Sequence, residues 1–208
     1  MKKLILGTAV VALSAGFAFA GSHSVVRMGT EGAYPPYNYI DDKGEVAGFE
    51  RELGDELCAR AELTCEWVTN DWDSIIPNLV SGNYDTIIAG MSITDERKEK
   101  IDFTTNYTQP DPSAFLALSD SVDVATGVIA AQASTIQASY IAQSGATLIE
   151  FATPEETIAA VRNGEADAVL ADRAYLEPIA AEGGDLVILE QSVLIGGGVG
   201  MGIRKSDT

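Results

Sequence analysis

Strand-like and helix-like stretches alternate along this chain in two runs, parted by Gln109-Pro110-Asp111-Pro112. In the first run, residues 25–30 read as a strand, and 32–36 and 41–44 as turns. From Phe49 the apolar positions Phe49, Leu53, Leu57 and Ala61 fall at the spacing of one helical stripe. Residues 63–69 alternate as a strand. Ile75, Ile76, Leu79 and Val80 mark a short helix closing near Gly82, and 85–89 is a further strand. In the second run, 127–131, 147–151, 167–171 and 185–189 read as strands, with helices from about Ser134 and about Asp172. Thr153-Pro154-Glu155-Glu156 is a capping box with proline at the first helical position. Such alternation implies an α/β architecture with mostly parallel sheets, and two runs imply two lobes.

The first residues have a different purpose. Lys2-Lys3, an apolar stretch from Leu4 to Phe17 and Ala18-Phe19-Ala20 form the basic, apolar and A-x-A parts of a secretory leader, 1–20, cut before Gly21. The apolar run is short for a bilayer span. Loss of Lys2 and Lys3 takes the formal net charge from −18 to about −20, which argues against nucleic acid or an anionic membrane surface as partner. Cys58 and Cys65 make an even count in an exported chain and point to a disulfide. Metal binding is the weaker alternative, because no cluster of His, Cys or Asp supplies further ligands. Neither cysteine lies at the cleavage site to take a lipid, so the expected location is a Gram-negative periplasm.

Catalysis is disfavoured. The single histidine, His23, lies in the tail beside the leader, and paired cysteines leave Ser–His and Cys–His arrangements without a base or nucleophile. No cofactor or metal motif stands out. The run Gly-Gly-Gly-Val-Gly-Met-Gly at 196–202 breaks the G-x-G-x-x-G pattern at Met201 and Ile203, and reads as a flexible crossing strand. Binding is better supported, because ligands of α/β folds gather at the carboxyl ends of parallel strands. The loop 89–94, Ala133-Ser134-Thr135 and Asp172 fall at such ends, with Tyr34 and Trp72 near others. In Gly-Met-Ser-Ile-Thr-Asp-Glu-Arg-Lys-Glu-Lys (90–100), Lys98 and Lys100 beside Glu96 and Glu99 read as a solvated helix face. Thr94 is a candidate helix cap. Arg97 stands apart: a cation in the first turn of a helix is electrostatically awkward unless an anion joins it.

The stretches GTEGAYPPYNYIDDKGEVAGFERELGDELCARAELTC and NDWDSIIPNLVSGNYDTIIAGMSITDERKEKIDFT resemble the polar amino-acid-binding proteins of ABC importers. The resemblance runs from about Val25 to Thr208 and is densest up to Thr104. It implies a two-lobed, type II (Venus-flytrap) periplasmic-binding fold, with lobe 1 at 25–110, lobe 2 at 111–195 and a return strand into lobe 1 at 196–208. Relatives of this kind continue past Asp207 with helices that complete lobe 1, so the chain is expected to be truncated there. The resemblance also matches the cysteine spacing to the disulfide of lysine-, arginine-, ornithine- or histidine-binding members. It implies that Arg97 clamps a ligand α-carboxylate, helped by Ser92 and the Thr135 backbone. Asp172 would receive the α-ammonium, Tyr34 and Trp72 pack on the ligand side chain, and Glu31 meet its distal cation. Ala89-Gly90 departs from the hydroxyl residues of many basic amino-acid binders and, with Glu31-Gly32-Ala33-Tyr34, resembles opine-binding members. The expected partners are an amino acid or derivative and a membrane permease, with the protein itself a monomer and no cofactor. A lyase of the cyclohexadienyl dehydratase type and a ligand-sensing domain are the alternatives on the same fold.

Overall fold

The computed structural model of the chain describes residues 25–207. The leader and His23 lie outside the described residues. The first group of elements is β1 (Val26–Thr30), a meander of β2 (Ala33–Tyr34), β3 (Asn38–Ile40) and β4 (Val46–Ala47), α1 (Phe49–Arg60), β5 (Cys65–Thr69), α2 (Ile75–Val80), β6 (Thr86–Ile87), α3 (Asp95–Lys98) and β7 (Asp102–Phe103). The second is β8 (Ser113–Ala117), β9 (Val128–Gln132), α4 (Ile136–Ala142), β10 (Thr147–Phe151), α5 (Pro154–Arg162), β11 (Ala168–Asp172), α6 (Arg173–Ala181) and β12 (Val187–Val193). β13 (Gly202–Ile203) then returns to the first group.

Two five-stranded sheets result, ordered β5-β1-β6-β13-β7 and β10-β9-β11-β8-β12. This is the two-lobed α/β arrangement expected, but each sheet is mixed. β1 runs parallel to β5 and β6, while β13 is antiparallel to both its neighbours. β9 runs parallel to β10 and β11, while β8 is antiparallel to β11 and β12. β8 (Ser-Ala-Phe-Leu-Ala) is buried throughout, so it has none of the polar alternation that betrays a half-exposed strand. The first core gathers Ile75, Leu79, Tyr84, Ile87, Met91 and Ile101. The second sheet is covered on both faces, by Leu116, Val169, Val161 and Leu176 on one and Phe115, Ile129, Ile141 and Leu170 on the other.

The apolar stripe expected on α1 is not its buried face. Phe49 and Leu57 are exposed, whereas Glu50 and Gly54 are buried. A Cβ on Gly54 would stand 2.7 Å from the Trp67 ring, so the missing side chain lets that aromatic carry the packing. The caps follow the sequence more closely. Thr94 Oγ1 accepts from Arg97 N, and Thr153 with Glu156 completes its capping box. Lys98 is exposed and pairs loosely with Asp95 at 3.4 Å, as a solvated face does.

Cys58 and Cys65 are disulfide-bonded and join the end of α1 to β5. Opening so short a loop removes about 2–2.5 kcal/mol on the chain-entropy model. The double Cys58→Ala/Cys65→Ala variant is therefore expected to lose roughly that much in urea denaturation while its ligand affinity stays unchanged.

The glycine-rich crossing strand is held tightly rather than left flexible. Ile93 N donates to Gly198 O (2.8 Å), Gly197 N to Ile93 O (2.9 Å) and Tyr107 N to Val199 O (2.8 Å). Gly198 has φ +88°, and a Cβ there would meet the Thr108 carbonyl oxygen at 2.5 Å. Gly198→Ala is expected to cost about 2–3 kcal/mol in chemical denaturation, since both the left-handed backbone and the close approach exclude a side chain.

Candidate functional site

Between the two sheets lies a cavity walled by segments of both lobes. Glu31, Tyr34, Trp72, Ala89, Gly90, Ser92 and Arg97 line it from the first lobe, and Thr135 and Asp172 from the second. All nine residues singled out from the sequence thus meet around one space. Glu31 and Tyr34 follow the end of β1, Trp72 follows β5, and Ala89 to Ser92 follow β6. Thr135 caps α4, and Asp172 ends β11 at the N-terminus of α6 without a side-chain capping bond.

The guanidinium of Arg97 donates through Nη1 to Ser92 O (2.9 Å) and through Nη2 to Ser134 O of the other lobe (3.3 Å). It lies over the Trp72 ring, 5.2 Å from its centroid, a cation–π contact that fixes its plane. Burial lowers its pKa to about 10, against the pull of Asp172 and Glu96. Ser134 has φ +60°, an uncommon conformation for a residue with a side chain. Its carbonyl accepts from both Arg97 and Trp72 Nε1, the latter at 3.2 Å.

On the opposite wall the Asp172 carboxylate accepts from Tyr34 OH at 3.0 Å and from Gln137 Nε2 at 2.8 Å. Burial raises its pKa to about 6, outweighing those bonds and the attraction of Arg97, with Asp111 adding repulsion. Tyr34 stacks on Tyr175, ring centroids 4.4 Å apart, so this ring bridges the lobes instead of standing free in the cavity. Glu31 Oε1 accepts from Gln132 Nε2 across the lobes at 2.5 Å. Burial raises the Glu31 pKa to about 7, against that bond and with repulsion from Asp71. Thr135 Oγ1 accepts from Ala138 N and donates to Gln132 O, so the side chain serves the cap.

Gln132 and Gln137, which tether the two cavity carboxylates, went unmarked in the sequence. Both are buried amides adjoining the Ala133-Ser134-Thr135 strand end, and that position was the one signal the sequence offered. Among the described residues no group of three His, Cys, Asp or Glu side chains is placed to hold a metal, and no helix is long and apolar enough to cross a membrane.

The family described as bacterial extracellular solute-binding proteins, family 3, matches residues 26–138. The chain belongs to that family. Its relatives include the L-arginine-binding protein of Pseudomonas aeruginosa, 32% identical over 100% of this chain and 86% of the relative. The lysine/arginine/ornithine-binding periplasmic protein of Escherichia coli K12 is 33% identical with the same shares. Among solved structures, a periplasmic His/Glu/Gln/Arg/opine family-binding protein from Silicibacter pomeroyi, crystallised with lysine, matches with a TM-score of 0.86. It is 74% identical, with 88% of this chain and 84% of that chain covered. This family 3 chain is accordingly a solute-binding protein.

Proposed function

We propose that this family 3 protein captures a cationic amino acid, or an arginine-derived opine, between its lobes and delivers it to the membrane permease of an ABC importer. The reading rests chiefly on one observation: a half-buried cation, Arg97, shares the cavity with two half-buried carboxylates, Asp172 and Glu31. An α-amino acid with a cationic side chain carries the complementary charges. Arg97 takes the α-carboxylate in a bidentate pair, with Ser92 and the Thr135 backbone beside it. Asp172 takes the α-ammonium, and Glu31 the distal cation. Tyr34 and Trp72 flank the aliphatic stem, and the small pair Ala89-Gly90 leaves room for a larger derivative.

The ligand then touches lobe 1 (25–110 with the return segment 196–208) and lobe 2 (111–195). Only such a ligand favours the closed form, because a population shifts only by differential affinity for the two states. Cleavage of the leader and release into the periplasm as a monomer complete the proposal. The test is calorimetry with arginine, lysine, ornithine and octopine against glutamine. Glu31→Gln is expected to weaken the cationic ligands by about tenfold and to spare glutamine. Equal losses for both classes would remove Glu31 from the distal position.

A further inference from the structure

We infer that Glu50 is a positioning residue for ligand capture, setting the spacing of the two lobe 1 loops that wall the cavity and tying them to the segment that crosses between lobes. This role rests on the function proposed above. Glu50 lies on the first turn of α1, fully buried, outside the cavity lining. Its Oε1 accepts from Gly90 N at 2.6 Å and from the Tyr107 hydroxyl. Its Oε2 accepts from Asn38 Nδ2 at 2.7 Å. The Asn38 amide is oriented by a second bond, since its Oδ1 accepts from Gly32 N at 2.7 Å.

One unbroken chain therefore runs from Gly32, next to Glu31, through Asn38 and Glu50 to Gly90, next to Ala89. A branch reaches Tyr107, whose own N–H holds Val199 of the returning strand. The two loops linked this way carry Glu31, Tyr34, Ala89, Gly90 and Ser92, the lobe 1 residues of the cavity apart from Trp72 and Arg97. In a trans peptide the carbonyl points opposite to the N–H. Anchoring Gly90 N–H on Glu50 thus turns the Ala89 carbonyl to the other side of the loop.

The chemistry at this point requires a group that only accepts. Three donors converge on Glu50, and an ionised carboxylate has acceptor sites for all of them. Burial raises its pKa, and these same three bonds draw it back down. A glutamine keeps the shape but sets its own N–H groups against those of Asn38. Turning Asn38 over only moves the conflict to Gly32 N–H. The conflict disappears if the carboxylate and the amide trade places: with Glu50→Gln and Asn38→Asp together, every donor again meets an acceptor.

The experiment measures arginine and lysine affinity by calorimetry and Gly90 amide exchange by NMR, on the full chain and on both variants. Glu50→Gln is expected to weaken binding by about tenfold or more and to speed Gly90 exchange. The double variant Asn38→Asp/Glu50→Gln is expected to return both readouts to within about threefold of the parent. Unchanged affinity and exchange in Glu50→Gln, or losses in the double variant that simply add, overturn the positioning role. A parent chain that binds neither amino acid defeats the proposed function instead, while the amide readout still decides whether Glu50 holds Gly90. Should Glu50→Gln fail to fold, Tyr107→Phe removes one donor and leaves the carboxylate. A loss of about threefold or more then supports the role, and parental affinity overturns it.

Discussion

Replacing Arg97 with alanine is expected to weaken binding of a cationic amino acid by roughly 3 kcal/mol or more, a loss beyond about a hundredfold in Kd. The guanidinium is half-buried in the cavity wall, and burial lowers its pKa to about 10. Among the described residues the acceptors it finds are neutral carbonyls, those of Ser92 and Ser134. An arriving carboxylate meets a donor that is desolvated, charged and held in plane by Trp72. Without Arg97 the carboxylate loses its water and gains no ionic partner, which is why the cost exceeds that of an ordinary hydrogen bond. Arg97→Lys is expected to recover only part of the loss, since an ammonium restores charge but not the planar fork. Calorimetry on the folded variants decides the point: parental affinity in Arg97→Ala removes this residue from the site.

What the sequence revealed follows the range over which each signal acts. The capping box at Thr153 and Glu156 and the cap at Thr94 are set by residues three apart, and both stand in the structure as read. The nine residues that line the cavity were picked out by strand ends, by the awkward cation in the first turn of α3 and by the family resemblance, which alone pointed to Glu31. The packing of α1 was not legible. Glu50 is acceptable inside only because donors 12, 40 and 57 residues away reach it, and Gly54 is buried because Trp67 fills its place. The same holds for Gln132, whose partner Glu31 is 101 residues distant, and Gln137, whose partner Asp172 is 35 away. A buried polar side chain leaves no periodic trace, and its satisfaction is written in the tertiary fold. The antiparallel placement of β8 and β13 likewise depends on where the chain crosses between lobes.

Ligand affinity is expected to fall steeply with acidity, and Asp172 accounts for the lower part of that fall. Without ligand, burial holds Glu31 at about 7 and Asp172 at about 6. A cation binds their ionised forms, so each proton must leave before capture. Affinity is then greatest above about pH 8 and declines by about tenfold per pH unit below each pKa, approaching a thousandfold loss near pH 5. Folding stability moves the other way. Asp172 has its pKa raised above the ordinary 3.8, so the folded chain holds that proton more tightly than the unfolded chain. The burial cost is present above about pH 6 and is relieved as pH falls toward about 4. Asp85 does not confuse this window. Its bonds to Arg27 and Arg204 push its pKa far below 3.8, so its contribution is lost only in stronger acid. Asp172→Asn is expected to cost about a hundredfold in affinity at pH 7.5, because the α-ammonium loses its charged partner. The variant should also leave a single titration step, near the Glu31 value. Calorimetry from pH 5 to 8, in two buffers of different ionisation heat, counts the protons released. An affinity independent of pH across that range would mean that neither carboxylate meets a cation. Opposite trends in binding and in folding stability are what two half-buried carboxylates that pair with a cationic ligand require.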